Sequence, residues 1–393
     1  SSDSNGEPVV QKQQDLTSAQ EDLQASELFL EDEEVLVAGQ WRLMWWRFKK
    51  HRIALVGAIL VIAFYLIAIF ADVIAISDPR ESDVQQAYMP PQTIHWFDGG
   101  FSPHVKGVIG SRDPESYKKV YAIDPDVKIP VRFLARGYEY NLFGFIPLDW
   151  HLIGTATEEN ERAAPFFLGT DILGRDQWSR IIFGTRVSLT LGLAGVGLSL
   201  FLGVFLGGIS GYYGGWVDTV VQRLIEITRS VPTIPLWISL AAAVPRDWSV
   251  TKIYFSITII LALFIWTDLG RVVRGRFLAL REEDFVTAAR LAGARDLRVI
   301  YRHMLPNFIS HIITATTLAI PVMIISETAL SFLGLGLRAP AVSWGVLLQE
   351  AQNVQTVAVY PWLTFPAVPV TIAVLAFNFM GDGMRDAADP YAN

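Results

Sequence analysis

The sequence predicts an all-α polytopic membrane protein with six transmembrane helices and a small α+β extracytoplasmic insertion. Of the 393 residues, 51% are hydrophobic and 18% charged, and mean hydropathy is +0.34. The apolar residues are gathered into runs of membrane-crossing length rather than dispersed. One long polar segment and one short arginine-rich segment separate these runs.

Residues 1–40 form an acidic tail, with ten acids from Asp3 to Glu34 against the single base Lys12. Poor in aromatics, it is expected to be disordered or loosely helical. Residues 41–76 are a basic lead-in (Arg42, Arg47, Lys49, Lys50, Arg52) with Trp41, Trp45 and Trp46 as interfacial anchors, followed by a first span from about Ile53 to Ile76. Residues 77–186 are too many for a plain connection. Within them Val127, Ile129, Val131 and Phe133 alternate as a strand does, and Tyr138, Tyr140 and Leu142 continue that period after Gly137. His95, His104 and His151 lack carboxylate or cysteine companions at ligand spacing, so no metal site is expected in this insertion. Its last part, dense in Gly, Asp and Arg, reads as a solvated interfacial helix. Residues 187–393 form the core, with spans near Val187–Tyr212, Val217–Val244, Ile253–Val272, Phe308–Leu330 and Pro361–Met380. Arg223, Glu226, Arg229, Pro232 and Pro235 interrupt the third of the six.

Basic residues crowd the lead-in and the loop after the fourth span and are sparse in loops of opposite parity. Both termini are therefore expected on the cytoplasmic side. The arginine-rich loop, 281–306, reads as two short helices broken at Gly293. Glu282, Glu283 and Asp284 place negative charge in a first helical turn, and Phe285, Ala288, Ala289 and Ala292 recur at helical spacing. Asp296 is expected to cap the second helix, which should end before Leu305-Pro306. Such a unit suits lying across a membrane surface and being gripped by a soluble partner.

At these residues the chain resembles a known family. Ala288-Ala289, three residues, Gly293, Ala294 onward to Leu305-Pro306 is similar to the cytoplasmic EAA loop of ABC importer permeases, with Thr287 where the consensus has Glu and His303 where it has Ile. The change at Thr287 touches the ion pair that a glutamate would make with the ATPase, while the docking shape remains. Gly169-Thr170-Asp171, Gly174-Arg175-Asp176 and Ser179-Arg180 resemble the signature before the second span of C-type permeases in dipeptide and oligopeptide importers. The stretches 327–336 and 381–390 point to the same subfamily. The resemblance implies the type I ABC importer permease fold, with Asp284, Thr287, Ala288, Ala289, Gly293, Ala294, Asp296, Leu305 and Pro306 as the ATPase-coupling surface. It also implies a second permease, two ATPase subunits and an extracytoplasmic substrate-binding protein as partners, in a bacterial inner membrane. Its members mostly carry di- or oligopeptides, and some carry nickel or oligosaccharides.

Within the core, Gly195, Ser199, Gly203, Gly207 and Gly211 fall four apart, a face without side chains where another helix can approach closely, inside the chain or from another subunit. Ionisable residues in spans mark candidate pathway positions. Arg223, Glu226 and Arg229 share one stripe, so Glu226 can neutralise its neighbours or the three can line a cavity; Glu327 has no base within one turn and is either a substrate or gate contact or a hydrogen-bonded structural group. With no cysteine, disulfides and thiolate chemistry are excluded. No Gly-Lys pair exists, so no phosphate loop of the Walker type is present and no cofactor is expected on this chain. The expectation is a non-catalytic permease subunit, with ATP used by its partners and no nucleic acid involved. A secondary transporter would show inverted repeats, and a scaffold would leave the arginine-rich loop unexplained.

Overall fold

The computed structural model describes residues 40–98, 100–112, 114, 119–155 and 165–388. The acidic tail lies outside the described residues apart from Gln40. A basic helix α1 (Gln40–Lys50) leads into α2 (Arg52–Ile69), whose first turn is capped by His51 Nδ1 accepting the Ala54 amide at 3.1 Å. A single turn, α3 (Ala71–Ile74), delivers the chain to the insertion.

The insertion is a four-stranded antiparallel meander: β1 (Ile94–Phe97), β2 (Phe101–Arg112), β3 (Lys119–Leu142) and β4 (Ile146–Thr155). The strand expected around Val131 is part of the longer β3, which pairs with β2 over its first half and with β4 over its second, with a register shift in each ladder. Val131, Ala135 and Tyr140 of β3 and Val105 of β2 are buried. Among the described residues 77–155 the only helical piece is a 3₁₀ turn, Val84–Gln86, and the helical part of the expected insertion is the lead-in that begins at Gln177. Phe143 packs edge-on against Phe70 at the end of α2, which holds the sheet over the bundle.

Among the described residues five helical stretches are long and apolar enough to cross a membrane: 52–69, 177–213, 250–280, 296–332 and 361–388. The expected third span is not one helix. It is divided into α5 (Gly215–Ser230) and α6 (Thr233–Ala242), with Val231 extended between them at φ −95° and ψ 135°. Steric conflict with the ring of Pro232 drives the preceding residue out of the helical region, and proline offers no amide to carry the ladder across. The helix before this pair, α4 (Gln177–Tyr213), contains the expected interfacial lead-in and the second span in one 37-residue rod. At 1.5 Å per residue it is about 55 Å long, so it projects beyond a hydrocarbon layer of about 30 Å. Gly214, at φ +64°, ends it.

The core is built where α4 meets α7 (Val250–Leu280). A side-chain carbon added at Gly203 would lie 3.0 Å from Leu269, one at Gly207 would fall on the backbone of Gly270, and one at Gly211 would lie 2.6 Å from Phe277 Cβ. Ser199 Oγ lies in the same seam, 2.9 Å from the Gly195 carbonyl of its own helix and 3.2 Å from the Ala262 carbonyl of α7, which share its one proton. Gly195 faces Met323 of α10 (Ile309–Phe332) instead. Leu189, Leu191, Leu261, Ile324 and Trp344 of α11 (Trp344–Gln349) complete a buried cluster with Phe377 of α13 (Ala367–Ala388). A short helix, α12 (Val354–Val359), precedes α13.

Gly207→Leu should lower stability by about 3 kcal/mol through overpacking of the seam. Gly197→Ala on the same helix faces open space and should leave it unchanged. Thermal unfolding of the two variants in detergent separates them, and equal melting would exclude backbone contact at Gly207.

Candidate functional site

The arginine-rich loop folds as α8 (Asp284–Leu291), a turn, and α9 (Asp296–Arg298). Gly293 ends α8 at φ +79°, a conformation that side chains disfavour. Its amide donates to the Arg290 carbonyl at 2.9 Å and that of Ala294 to Ala289 at 3.0 Å, the paired bonds of a Schellman motif. Ala289 and Ala294 both pack on a buried cluster made by Val286, Val299, Ile300 and Met304 with Val273 and Phe277 of α7. The loop is therefore keyed to the bundle by its inner side. Phe285, Ala288, Ala292 and Leu291 point away from it, and Leu291 and Leu297 are 85% and 64% exposed. Asp284 and Thr287 are exposed on the same α8.

Two expectations for this loop are corrected. Asp296 is not a cap: Arg295 occupies that position, and the Asp296 carboxylate accepts the hydroxyls of Tyr212 at 2.7 Å and Tyr213 at 3.3 Å. A carboxylate in the first turn of α9 is already favoured by the helix dipole, which leaves it free to bond at the end of α4. Nor does the second helix end before Leu305-Pro306. It continues through a π-helical stretch, Val299–Met304, and a 3₁₀ turn, Leu305–Phe308, into α10. The Leu305 amide bonds to Ile300, five residues back, and Pro306 sits in a first turn where its missing N–H costs nothing.

Further anchors here were not visible from the sequence. Asp218 of α5 receives Arg274 of α7 through two bonds, 2.5 and 2.6 Å, and Arg290 lies 4.9 Å over the Tyr212 ring. The partners are 56 residues or more apart in the chain, and neither pairing has a local sequence signal.

The candidate pathway residues do not form one group. Arg223 pairs with Glu226 at 2.6 Å on the exposed side of α5, but Arg229 pairs with Asp268 of α7 rather than with Glu226, because Asp268 reaches it from the facing helix. Glu327 lies at the other end of the bundle, fully buried, accepting Ser331 at 2.7 Å, Ser343 at 2.8 Å and Ser188 at 3.4 Å. Three hydroxyl donors satisfy a carboxyl that has no base beside it.

The Gly-Asp-Arg segment before α4 is also corrected, since it is buried rather than solvated. Asp171 accepts Arg175 at 2.6 Å and Arg180, and both arginines reach Glu350 at 3.2 Å. Thr170 and Asp171 are fully buried, and Gly169 fits at φ +73° under Trp362. Arg186 leaves this knot to pair with Asp72 at 2.7 Å. Asp176 caps α4 through the Ser179 amide at 2.8 Å, and burial pushes its carboxyl up to about 6.

Two family models match. Residues 203–392 match the "Binding-protein-dependent transport system inner membrane component", and residues 39–91 match the "N-terminal TM domain of oligopeptide transport permease C". Among similar curated proteins, a dipeptide transport system permease protein of Alkalihalophilus pseudofirmus is 30% identical, with 91% of this chain and 92% of that protein covered. An oligopeptide transport system permease protein of Bacillus subtilis is 29% identical over 89% of each chain. One from Haemophilus influenzae is 37% identical over 63% of this chain and 76% of its own. With these similarities, a bundle of helices long and apolar enough to cross a membrane is, by class, a membrane permease component. The chain belongs to the family of binding-protein-dependent transport system inner membrane components.

Asp176 gives a pH-dependent expectation. Its carboxyl titrates near 6 when folded and near 4 when unfolded, so the folded chain binds more protons between those values. The associated stability is complete below about pH 4 and lost as pH rises through about 6, about 3 kcal/mol in all. Asp176→Asn keeps the cap acceptor and removes the titration. Melting temperatures from pH 4 to 7 should fall in the parent and stay flatter in the variant; parallel curves would exclude the assignment.

Proposed function

We propose that this chain is a permease subunit of an ATP-driven ABC importer and forms half of a translocation pathway for dipeptides or oligopeptides. The observation that carries this is the two-sided loop: its inner side is keyed to α4, α7 and the helix leading into α10, and its outer side is bare apolar surface ringed by arginine. Asp284, Thr287, Ala288, Ala289, Gly293, Ala294, Asp296, Leu305 and Pro306 serve as the coupling unit. A push on α8 passes to α4 through Asp296 and its tyrosines, and to α10 through the π-helical stretch and the 3₁₀ turn that join them. The fuel, ATP, is bound and hydrolysed by two ATPase subunits on the cytoplasmic side, where both termini lie. A second permease completes the pathway, with the ion-paired side of α5, Arg223, Glu226 and Arg229, turned toward it. Charged pairs as exposed as these are costly against lipid, which favours a watery or protein-lined face. Glu327 acts as a structural group. An extracytoplasmic binding protein delivers substrate at the insertion end, in a bacterial inner membrane. The names of the similar permeases support peptides as cargo.

Leu291→Asp and Leu297→Asp alter only exposed side chains and should cost co-purification of ATPase subunits and at least about tenfold in peptide uptake. Gly293→Val strains a left-handed backbone by about 1–3 kcal/mol and should leave ATP hydrolysis running without transport. Normal uptake in all three variants would refute the coupling assignment.

A further inference from the structure

A half-open cleft of about 770 Å³ lies between the β-sheet insertion and the adjoining end of the bundle. That volume is within the range of about 300–1,000 Å³ typical of small-ligand sites. Its floor comes from the ends of α4 and α7, with Phe183, Tyr254 and Phe255 as aromatic surface. Its roof is a short stretch of β3, Tyr138–Tyr140, and its rim is the turn Asp78–Arg80 that follows α3. Without the insertion the floor would be an open surface.

Several polar groups around this cleft are already committed. Arg186 is held by Asp72 at 2.7 Å and by the Ala68 carbonyl at 2.8 Å, and the Tyr140 hydroxyl donates to the Trp150 carbonyl at 2.6 Å. Others are not. The Tyr138 hydroxyl is buried and has no hydrogen-bond partner among the described residues. A buried polar atom left unpaired is costly, and native structures rarely keep one without use. Arg80 and Glu139 are exposed at the cleft and form no side-chain ion pair among the described residues, and the Asp78 carboxylate has no cationic partner among them, accepting the backbone amide of Arg80. One free guanidinium, two free carboxylates and one unspent hydroxyl thus surround an aromatic floor.

We propose that this cleft is a vestibule site for a short zwitterionic peptide, occupied before the substrate enters the membrane. Arg80 takes the terminal carboxylate, Glu139 and Asp78 take the terminal ammonium, Tyr138 bonds the peptide backbone, and the aromatic floor receives apolar side chains. An anionic lipid headgroup fits less well, because the free carboxylates outnumber the one free guanidinium. The insertion then acts as the roof of a receiving site. This rests on the peptide-import reading, and it assigns the ligand to residues outside the bundle core.

The test uses the whole complex in proteoliposomes, with its ATPase subunits and binding protein. The probe is a tripeptide, alanine–p-benzoylphenylalanine–alanine, and trialanine uptake is measured in parallel. Irradiation should label Tyr138–Tyr140, Phe183 or Tyr254–Phe255, and excess trialanine should remove the label. Arg80→Gln and Glu139→Gln, both exposed, and Tyr138→Phe, which loses only a hydroxyl, should each raise KM for trialanine about tenfold at unchanged maximal rate. Trialanine uptake with labelling confined to other segments overturns the vestibule and leaves peptide import standing. So does labelling of the cleft by a photoactivatable phosphatidylglycerol that trialanine does not displace. Absence of both uptake and labelling overturns peptide import itself.

Discussion

Backbone contact between α4 and α7 is possible because one face of α4 carries almost no side chains. Gly203, Gly207 and Gly211 let α7 settle against it, and Ser199 shares its hydroxyl proton between a carbonyl of its own helix and one of the opposite helix. In lipid there is little hydrophobic gain from bringing apolar helices together, so close packing and interhelical hydrogen bonds must supply the attraction. The other long elements are arranged around this pair. α10 meets α4 at Gly195 and Gly192, α13 meets α10 at Gly381, and α2 fits against α13 at Gly57 and Gly383.

Polar chemistry is divided between the two ends of the bundle. At the insertion end it is buried: Asp171, Arg175, Arg180 and Glu350 tie the entrance of α4 to the segment after α11, and Glu327 draws three serines from separate parts of the chain. Breaking one partner of such a buried group costs about 3–5 kcal/mol, so this end is stiff. At the loop end the charges lie nearer solvent, and the bonds made by Asp296 and Asp218 link short or broken helices to long ones. Stiffness at one end and jointed elements at the other suit a body that moves about a fixed seam.

Much of this was legible in the residues, and for identifiable reasons. Long apolar runs mark membrane helices because lipid tolerates little else, and Gly293 marks a left-handed turn because few other residues accept it. Four-residue glycine spacing marked a packing face, though not the partner on it. What escaped were facts of pairing at a distance. Nothing near Asp296 shows that it meets Tyr212, and nothing near Arg180 shows Glu350 170 residues on. The division of the third span was visible as Pro232, but its polar residues alone did not show that Arg229 would turn to α7. The insertion's strands were readable where they alternate, and its helical end where the glycine-rich lead-in gives way to the second span.

The broken pair α5 and α6 bears on how this protein is made. α6 has ten residues and covers about 15 Å, half of the hydrocarbon layer. α5 carries Arg223, Glu226 and Arg229, and an arginine at the bilayer centre costs about 2.5–3.5 kcal/mol on insertion scales. Neither segment holds a place in lipid unaided. The pair becomes a settled crossing once α7 supplies Asp268 to Arg229 and Trp266 to Val221 and Ile225. Because α7 follows α5 and α6 in the chain, the groups that meet α5 are the ones synthesised after it.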